Sequence, residues 1–509
     1  MNILNESLVT RDLSELNVPK IEWKLSATAE KRTRSVVDLK FFLERLRATD
    51  VCETRNLGIA GSVIFLPYGC SLLANYRGIV SQSLREFNFQ EYDYPIVASS
   101  EIFSEAGKVL NLRKRLLHCG DMDDFEAKSP RATLIPTGEA IIYTHWKTLV
   151  KSYRSLPLRI FQHTKYIRPQ SKQNQNAESI FKPVENSDVF EYHAAFRSFD
   201  DCSHNYDALL NLNSHLMNKF HLPVLRSRRP LWTNRSEVSL RTTTDDVVFS
   251  TGKTLQVSCL YLQSNLFSAH FNINYVDESG KKNLTHHIAG AVSRRLLLSH
   301  LFIGLRADGT FLIHPDLAAT HVKLFYIGTE EQKKQVDLLT AQIKELGMRI
   351  NVESLPNGDN LKQLLANSKS NGTPVTLVVQ AKRHTNDKNK LILYRNDTQE
   401  ESVAFSDSID PEIAIDCLRI VDATGAAFTG RARDVLEQQV VKVSSLDEAK
   451  EVLKLGKIAD VPLRECKEDV LVVASWKLGE VLGFYDEEVG SNSNLLDRPI
   501  TRAYISRRI

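Results

Sequence analysis

Apolar positions along the 509-residue chain fall into two rhythms, one near 3.6 residues and one of two. The helical rhythm appears first in "VVDLKFFLERL", where Val36, Val37, Leu39, Phe41, Phe42, Leu43 and Leu46 lie near one stripe. The segment up to about Arg55 therefore reads as mainly helical. A β-like run at 62–66 breaks at Pro67-Tyr68-Gly69, and a helix follows with Leu72, Leu73, Tyr76, Ile79, Val80 and Leu84 as its buried stripe. "YDYPIVASSEIF" reads as another strand. Residues 201–222 read as a helix with Leu209, Leu210, Leu212, Leu216, Met217 and Phe220 turned inward, and with His204, His215 and His221 as exposed or capping residues rather than ligands.

The two-residue rhythm is clearest in "KTLQVSCLYLQSNLFSAHFNINYV". Its alternation puts Gln256, Ser258, Leu260 and Leu262 on one face and Leu255, Val257, Cys259 and Tyr261 on the other. A buried helix is expected over 292–305, with Arg294 and Arg295 in its first turns. Arginine there opposes the helix dipole, which suggests an anionic partner for one of them; an ion pair with a nearby carboxylate is the alternative. From about Thr320 strands and helices alternate, as in a small domain with a partly parallel sheet. Beyond Asp410 helices give way to a final β segment around "EDVLVVASWKL".

The candidate chemistry lies in 134–193. Three β-like runs alternate there with a helix and a polar loop. Thr137 and Glu139 end the first run, Arg168 ends the second, and Glu191 and His193 lie two apart on the third, hence on one face. If the runs pair, carboxylates and one fixed cation meet on a single sheet surface. That patch suits a zwitterionic amino acid, its ammonium at the acids and its carboxylate at the arginine. Surface ion pairs are the plain alternative.

Composition narrows the class. With 42% hydrophobic and 25% charged residues, the chain has core enough for two to four domains, and its net charge of +3 does not by itself imply nucleic acid. The seven cysteines include no CxxC, which argues against a thiolate zinc site and a disulfide framework. His286-His287 lacks a third metal ligand at a sensible spacing. Neither a signal peptide nor an apolar run long enough for a membrane span is apparent, so a cytoplasmic location is expected.

The order of these segments resembles the class II aminoacyl-tRNA synthetases, most closely the archaeal and eukaryotic type of prolyl-tRNA synthetase. "IFLPYGCSLLANYRGIV" is similar to the dimer-forming first motif and "LIPTGEAIIY" to the family's "RPTSE" segment. "LPLRIFQHTKYIRP" and "VENSDVFEYHAAF" resemble the two strands of the second motif, and "AGAVSRRL" the third. The resemblance implies an α+β fold, an antiparallel sheet flanked by helices. It implies a helical extension at 1–55, a catalytic domain at 56–319, an α/β anticodon-binding-like domain at 320–407 and a small α+β domain at 408–509. It also implies a homodimer that binds ATP with Mg2+, forms an aminoacyl-adenylate of proline or a similar small amino acid, and transfers it to tRNA or another acceptor.

Carried over by position, Thr137 and Glu139 would hold the amino group, Glu191 and His193 would line the amino-acid pocket, and Arg168 would bridge the carboxylate and the α-phosphate. Arg295 would contact the γ-phosphate, and Gln170, Lys182, Glu185 and Gln256 would complete the ATP site. The sequence also departs from the family. Pro169-Gln170 follows Arg168 where an arginine–any–glutamate pattern is usual, Val184 replaces a second arginine, and Tyr261 stands in place of a histidine. These changes fall mostly on the ATP walls, and they leave a catalytically inactive binding protein as the alternative.

Overall fold

The protein is described here by a computed structural model covering residues 21–25, 37–55, 59, 61–107, 109, 116–119, 132–169, 177–230, 232, 238–330, 332–356, 358–382, 384, 387–409, 412–486 and 501–509. The chain divides into two units, one of Met1–Lys31 with Thr320–Gly425, the other of Arg32–Ala319 with Ala426–Ile509.

In the first unit, Val322–Ile327 lies between two parallel neighbours, Ile350–Ser354 and Val375–Gln380. Asn389–Arg395, Glu401–Ser406 and Lys24–Leu25 then add antiparallel strands in turn. The sheet is thus partly parallel, as the alternating pattern predicts. Helix Lys333–Glu345 buries Val336, Leu339 and Ile343 against it and ends before Gly347, whose φ of +81° suits a residue without Cβ. The N-terminal stretch read as helical behaves differently at 21–25. Lys24–Leu25 is an edge strand, and the backbone N–H of Ile21 donates to Glu412 at 3.1 Å. Pairing with an open sheet edge overrides local helix preference there.

The second unit is organised on an eleven-stranded sheet among the described residues. Its centre is an antiparallel run in the order Val224–Arg228, Ser239–Val248, Lys253–Gln263, His286–Val292, Glu185–Phe196 and Leu158–Ile167. The α+β architecture with helices on an antiparallel sheet is the one expected. One face carries the core of helices Leu39–Ala48, Pro67–Glu86, Phe199–Lys219 and Arg295–Gly304, with Phe42, Tyr76, Leu212, Leu260 and Leu301 inside it. The other face carries a smaller core with Ile135, Ile142, Tyr143, Trp146, Ile160 and Tyr166, covered by helix Glu139–Leu149.

Three sequence expectations change here. The run Ala132–Leu134 pairs with Val97–Ser99 and Leu117–Cys119 in a separate small sheet rather than with the two strands that follow it. The segment around "EDVLVVASWKL" is not a strand, since Lys467–Ser475 is a helix. Glu468 and Asp469 in its first turn favour the positive helix end, and Asp469 is fixed by Arg464 at 2.8 Å, which outweighs the β-branched valines. The strands of this region are Glu480–Asp486 and Thr501–Arg508. They extend the main sheet, Lys253 and Thr254 pairing parallel with Arg507 and Arg508. The C-terminal segment thus divides, with 412–425 in the first unit and 426–509 in the second.

Candidate active site

Sheet register lines up the floor of the site. Gln162 pairs with Glu191, Glu191 with Ala291, and Ala291 with Cys259, so the four share one face. The next row on that face is Ile160, His193, Ala289 and Tyr261. Glu191 and His193 therefore lie side by side as their spacing predicts. Gln256 lies on the face opposite to the one that simple alternation assigns. A bulge between its pair with Asp246 and the Ser258–Asp245 pair shifts the parity. Leu255, Val257, Leu260 and Leu262 all enter the larger core as a result.

Thr137 and Glu139 reach this floor from above. Pro136 and Gly138 interrupt the first run, and Glu139 becomes the first residue of helix Glu139–Leu149, where its charge suits the helix dipole. The Thr137 hydroxyl donates to Glu139 Oε2. A Cβ added to Gly138 would overlap Glu191 Oε2 and Gln162 Nε2, so only glycine lets the loop descend onto Glu191. Burial, and then the charge of Glu191, raises the Glu139 carboxyl above its ordinary range. For Glu191 burial acts in the same sense, but His193, Tyr166 and Gln162 outweigh it and the carboxyl is lowered. Two neighbouring acids held apart in this way make a cradle for a cation.

Most of the shell around Glu191 was missed from the sequence. The Tyr166 hydroxyl and the Gln162 amide donate to Glu191 Oε2, the amide at 3.1 Å. Tyr143 donates to Gln263 Oε1 at 2.5 Å, so its oxygen accepts from His193 Nδ1 at 3.1 Å. Nε2 of the fully buried His193 lies 3.6 Å from Glu191 Oε1. Neither this nitrogen nor Gln162 Oε1 has a hydrogen-bond partner, so two buried polar atoms beside the acid are open to a ligand. The signal available in sequence was period two: Gln162 lies four residues before Tyr166 on the arginine strand.

The cations stand beside the acids. Arg168 follows strand Leu158–Ile167. Its Nε donates to Pro136 O at 2.7 Å, and its guanidinium lies 5.6 Å from the Tyr166 ring centroid. Arg295 opens helix Arg295–Gly304 and donates to Phe181 O at 2.8 Å and Gln256 O at 3.1 Å. Burial, and then the nearby charge of Arg168, pulls the Arg295 guanidinium down to about 10. Arg295, held beside a second positive charge, lies in a space suited to an anion. Lys182 faces the same region: burial and then Arg295 lower its ammonium. Arg294, by contrast, lies over the Phe65 ring in the other core.

Among the remaining expected ATP contacts, Gln256 Oε1 lies 3.4 Å from Arg229 and 3.5 Å from Arg508. Both arginines flank Asp246, each at 3.5 Å, and burial raises that carboxyl to about 6. Glu185 engages Ser187 at 2.5 Å and Lys165 at 3.1 Å. Gln170 lies outside the described residues. His286-His287 is not a metal pair, for His287 Nε2 is bonded to Thr285 and Ser268 within the small core.

No family model matches the chain. The proline–tRNA ligase of Pyrobaculum neutrophilum is 25% identical over 432 residues, covering 83% of this chain and 85% of the relative. Among solved structures, the prolyl-tRNA synthetase of Giardia lamblia in complex with prolyl-adenylate is similar at a TM-score of 0.79 and 19% identity, over 94% of this chain and 99% of that one. The prolyl-tRNA synthetase of Cryptosporidium parvum complexed with halofuginone and AMPPNP matches at 0.79 and 16%, over 92% and 97%. The chain is thus similar to the prolyl-tRNA synthetases over most of its length and shares their fold, as the motif order implied.

Proposed function

We propose that this protein binds ATP and proline, or a small amino acid of similar shape, joins them as an aminoacyl-adenylate and passes the acyl group to tRNA or another acceptor. One observation carries this reading. Glu139 and Glu191 lie close enough for each charge to act on the other, Tyr166 donates to Glu191 and lies 5.6 Å from the Arg168 guanidinium, and the charge of Arg168 reaches Arg295. An amino acid fits this arrangement with its ammonium at the acids and its carboxylate toward Arg168. The prolyl-adenylate and AMPPNP bound by the similar synthetases support the same reading.

The chemistry asks for positioning and charge rather than a protein nucleophile. A carboxylate oxygen of the amino acid attacks the α-phosphorus, and pyrophosphate leaves with the electron pair of the breaking P–O bond. Thr137 and Glu139 hold the amine, Glu191 and His193 close the pocket, and Arg168 orients carboxylate and α-phosphate together. Arg295 takes charge developing on the leaving group, with Lys182 beside it. Gln256 and Glu185 would border the nucleotide.

Mg2+ would enter with the triphosphate as its counterion and would supply neutralising charge to the leaving pyrophosphate. Asp246 and Gln256 do not fit it as ligands, since Arg229 and Arg508 flank the Asp246 carboxylate at 3.5 Å each and both approach Gln256 Oε1. A cytoplasmic location and a homodimer belong to the same reading, and no described helix is long and apolar enough to cross a membrane.

Amino-acid-dependent exchange of pyrophosphate into ATP tests the proposal. Exchange with proline or a close analogue, abolished by Arg168→Ala, is the expected result. Binding of ligand without exchange for any amino acid would leave the inactive binding protein instead. Transfer to tRNA is tested separately by charging, and by tRNA affinity that falls steeply with salt.

A further inference from the structure

Three potential metal ligands meet at the C-terminal end of helix Phe199–Lys219. His221 Nε2 lies 2.8 Å from Asp316 Oδ2, and His314 Nδ1 lies 3.6 Å from the same oxygen. One ligand atom from each residue falls within 4.8 Å of the other two. His221 comes from one segment, and His314 and Asp316 from another, 95 residues further on between His221 and Asp316.

The meeting is held by a third histidine. His300 is fully buried on helix Arg295–Gly304. Its Nδ1–H donates to Phe220 O at 3.0 Å, and its Nε2 accepts the His314 backbone N–H at 3.1 Å. Only the neutral Nδ1–H tautomer can make both bonds, so His300 ties the two ligand-bearing segments together. Pro315 fixes φ between the second and third ligands. His221 sits just past its helix at φ +52°, where glycine or asparagine is usual and another side chain costs roughly 1 kcal/mol. A histidine kept there points to a role for its ring.

We propose that His221, His314 and Asp316 bind one divalent transition-metal ion, zinc in the first instance, with water completing its shell. Two imidazoles and one carboxylate form a ligand set that zinc takes with one position left open. Bonds of about 2.0–2.2 Å place the donors of a tetrahedral ion roughly 3.3 Å apart, between the two separations seen here. The His221 and His314 rings stack at 3.3 Å between centroids, and His314 Nδ1 accepts the Asp316 backbone N–H at 3.2 Å. Loading turns the His314 ring out of the stack and off that N–H so that both lone pairs reach the ion. Asp316 is exposed, which gives the ion a route from solvent. The ion would staple the helix end to the 314–316 loop, beside Phe220, Leu222 and Leu317 of the larger core. The acid cradle borders the other core, so this is a structural site separate from the proposed chemistry.

Titrating the full-length chain, stripped of metal by a chelator, with zinc alone tests the proposal by calorimetry. Cobalt(II) provides a second readout through its visible d–d bands. One ion per chain is expected, with a rise in Tm on loading. His221→Asn tolerates the left-handed backbone while removing the ligand, and Asp316→Asn changes an exposed side chain. Each should weaken zinc by at least the roughly 10–100-fold that losing a ligand's supporting partner costs, and should cancel the rise in Tm. No binding, or binding unchanged in both variants, overturns the proposal.

Discussion

Gly138 and Glu191 meet so closely that no β-carbon fits between them. The cradle thus depends on a residue with no side chain, placed between two that have been assigned roles. Gly138→Ala should displace the Glu191 carboxylate or the Gln162 amide and cost about 1–3 kcal/mol of stability through overpacking. Proline affinity should fall with it. Denaturant unfolding and calorimetric titration check the two effects. Wild-type values in both would show that the contact carries nothing.

Glu139 and Glu191 predict opposite pH behaviour. Glu139 is raised by burial and by Glu191, so the unfolded chain releases this proton first as pH rises. The native state therefore loses stability from the ordinary value of 4.5 up through the folded value, and remains weakened above it. Glu139→Gln should stabilise the fold at neutral pH. It should also remove a charged contact to the amine worth about 1.5–3 kcal/mol, roughly 10- to 150-fold in proline affinity. Unfolding free energy and proline titration, each measured at acidic and neutral pH, separate the two.

The proposed function gives Arg168 and Arg295 a direct part in the reaction. Each alanine variant should lower pyrophosphate exchange by on the order of 10²–10³-fold, the scale of losing one fixed electrostatic contact. Arg295→Lys should not rescue, because the arginine holds both Phe181 O and Gln256 O with a planar fork that an ammonium lacks. Restored exchange with lysine would reduce Arg295 to a simple charge.

His287 supplies an acid sensitivity independent of the cradle. Burial lowers its imidazole to about 3. The unfolded chain takes up a proton near the ordinary value of 6.5 while the native state does not, so stability falls as pH drops from that value toward 3. His287→Gln, whose side-chain amide can replace the Nε2 contacts to Thr285 and Ser268, should flatten this slope. Thermal melts across the acid range measure it.

Periodicity and spacing on one strand are local properties, so the rhythm of the main elements and the shared face of Glu191 and His193 could be read from the chain alone. The resemblance in motif order added the α+β class and the residues expected to bind amino acid and ATP. Long-range pairing instead sets the Ala132–Leu134 run in another sheet and makes Glu139 the start of a helix. The same holds for the helical state of Lys467–Ser475 and for the bulge that turns Gln256 to the other face. Gly138, Tyr166, Arg508 and the His221–His314–Asp316 group owe their places to contacts between segments distant in the chain. Such contacts depend on which strand edges find one another and which side chains fill the same buried volume, and neither is written in the spacing of any single segment.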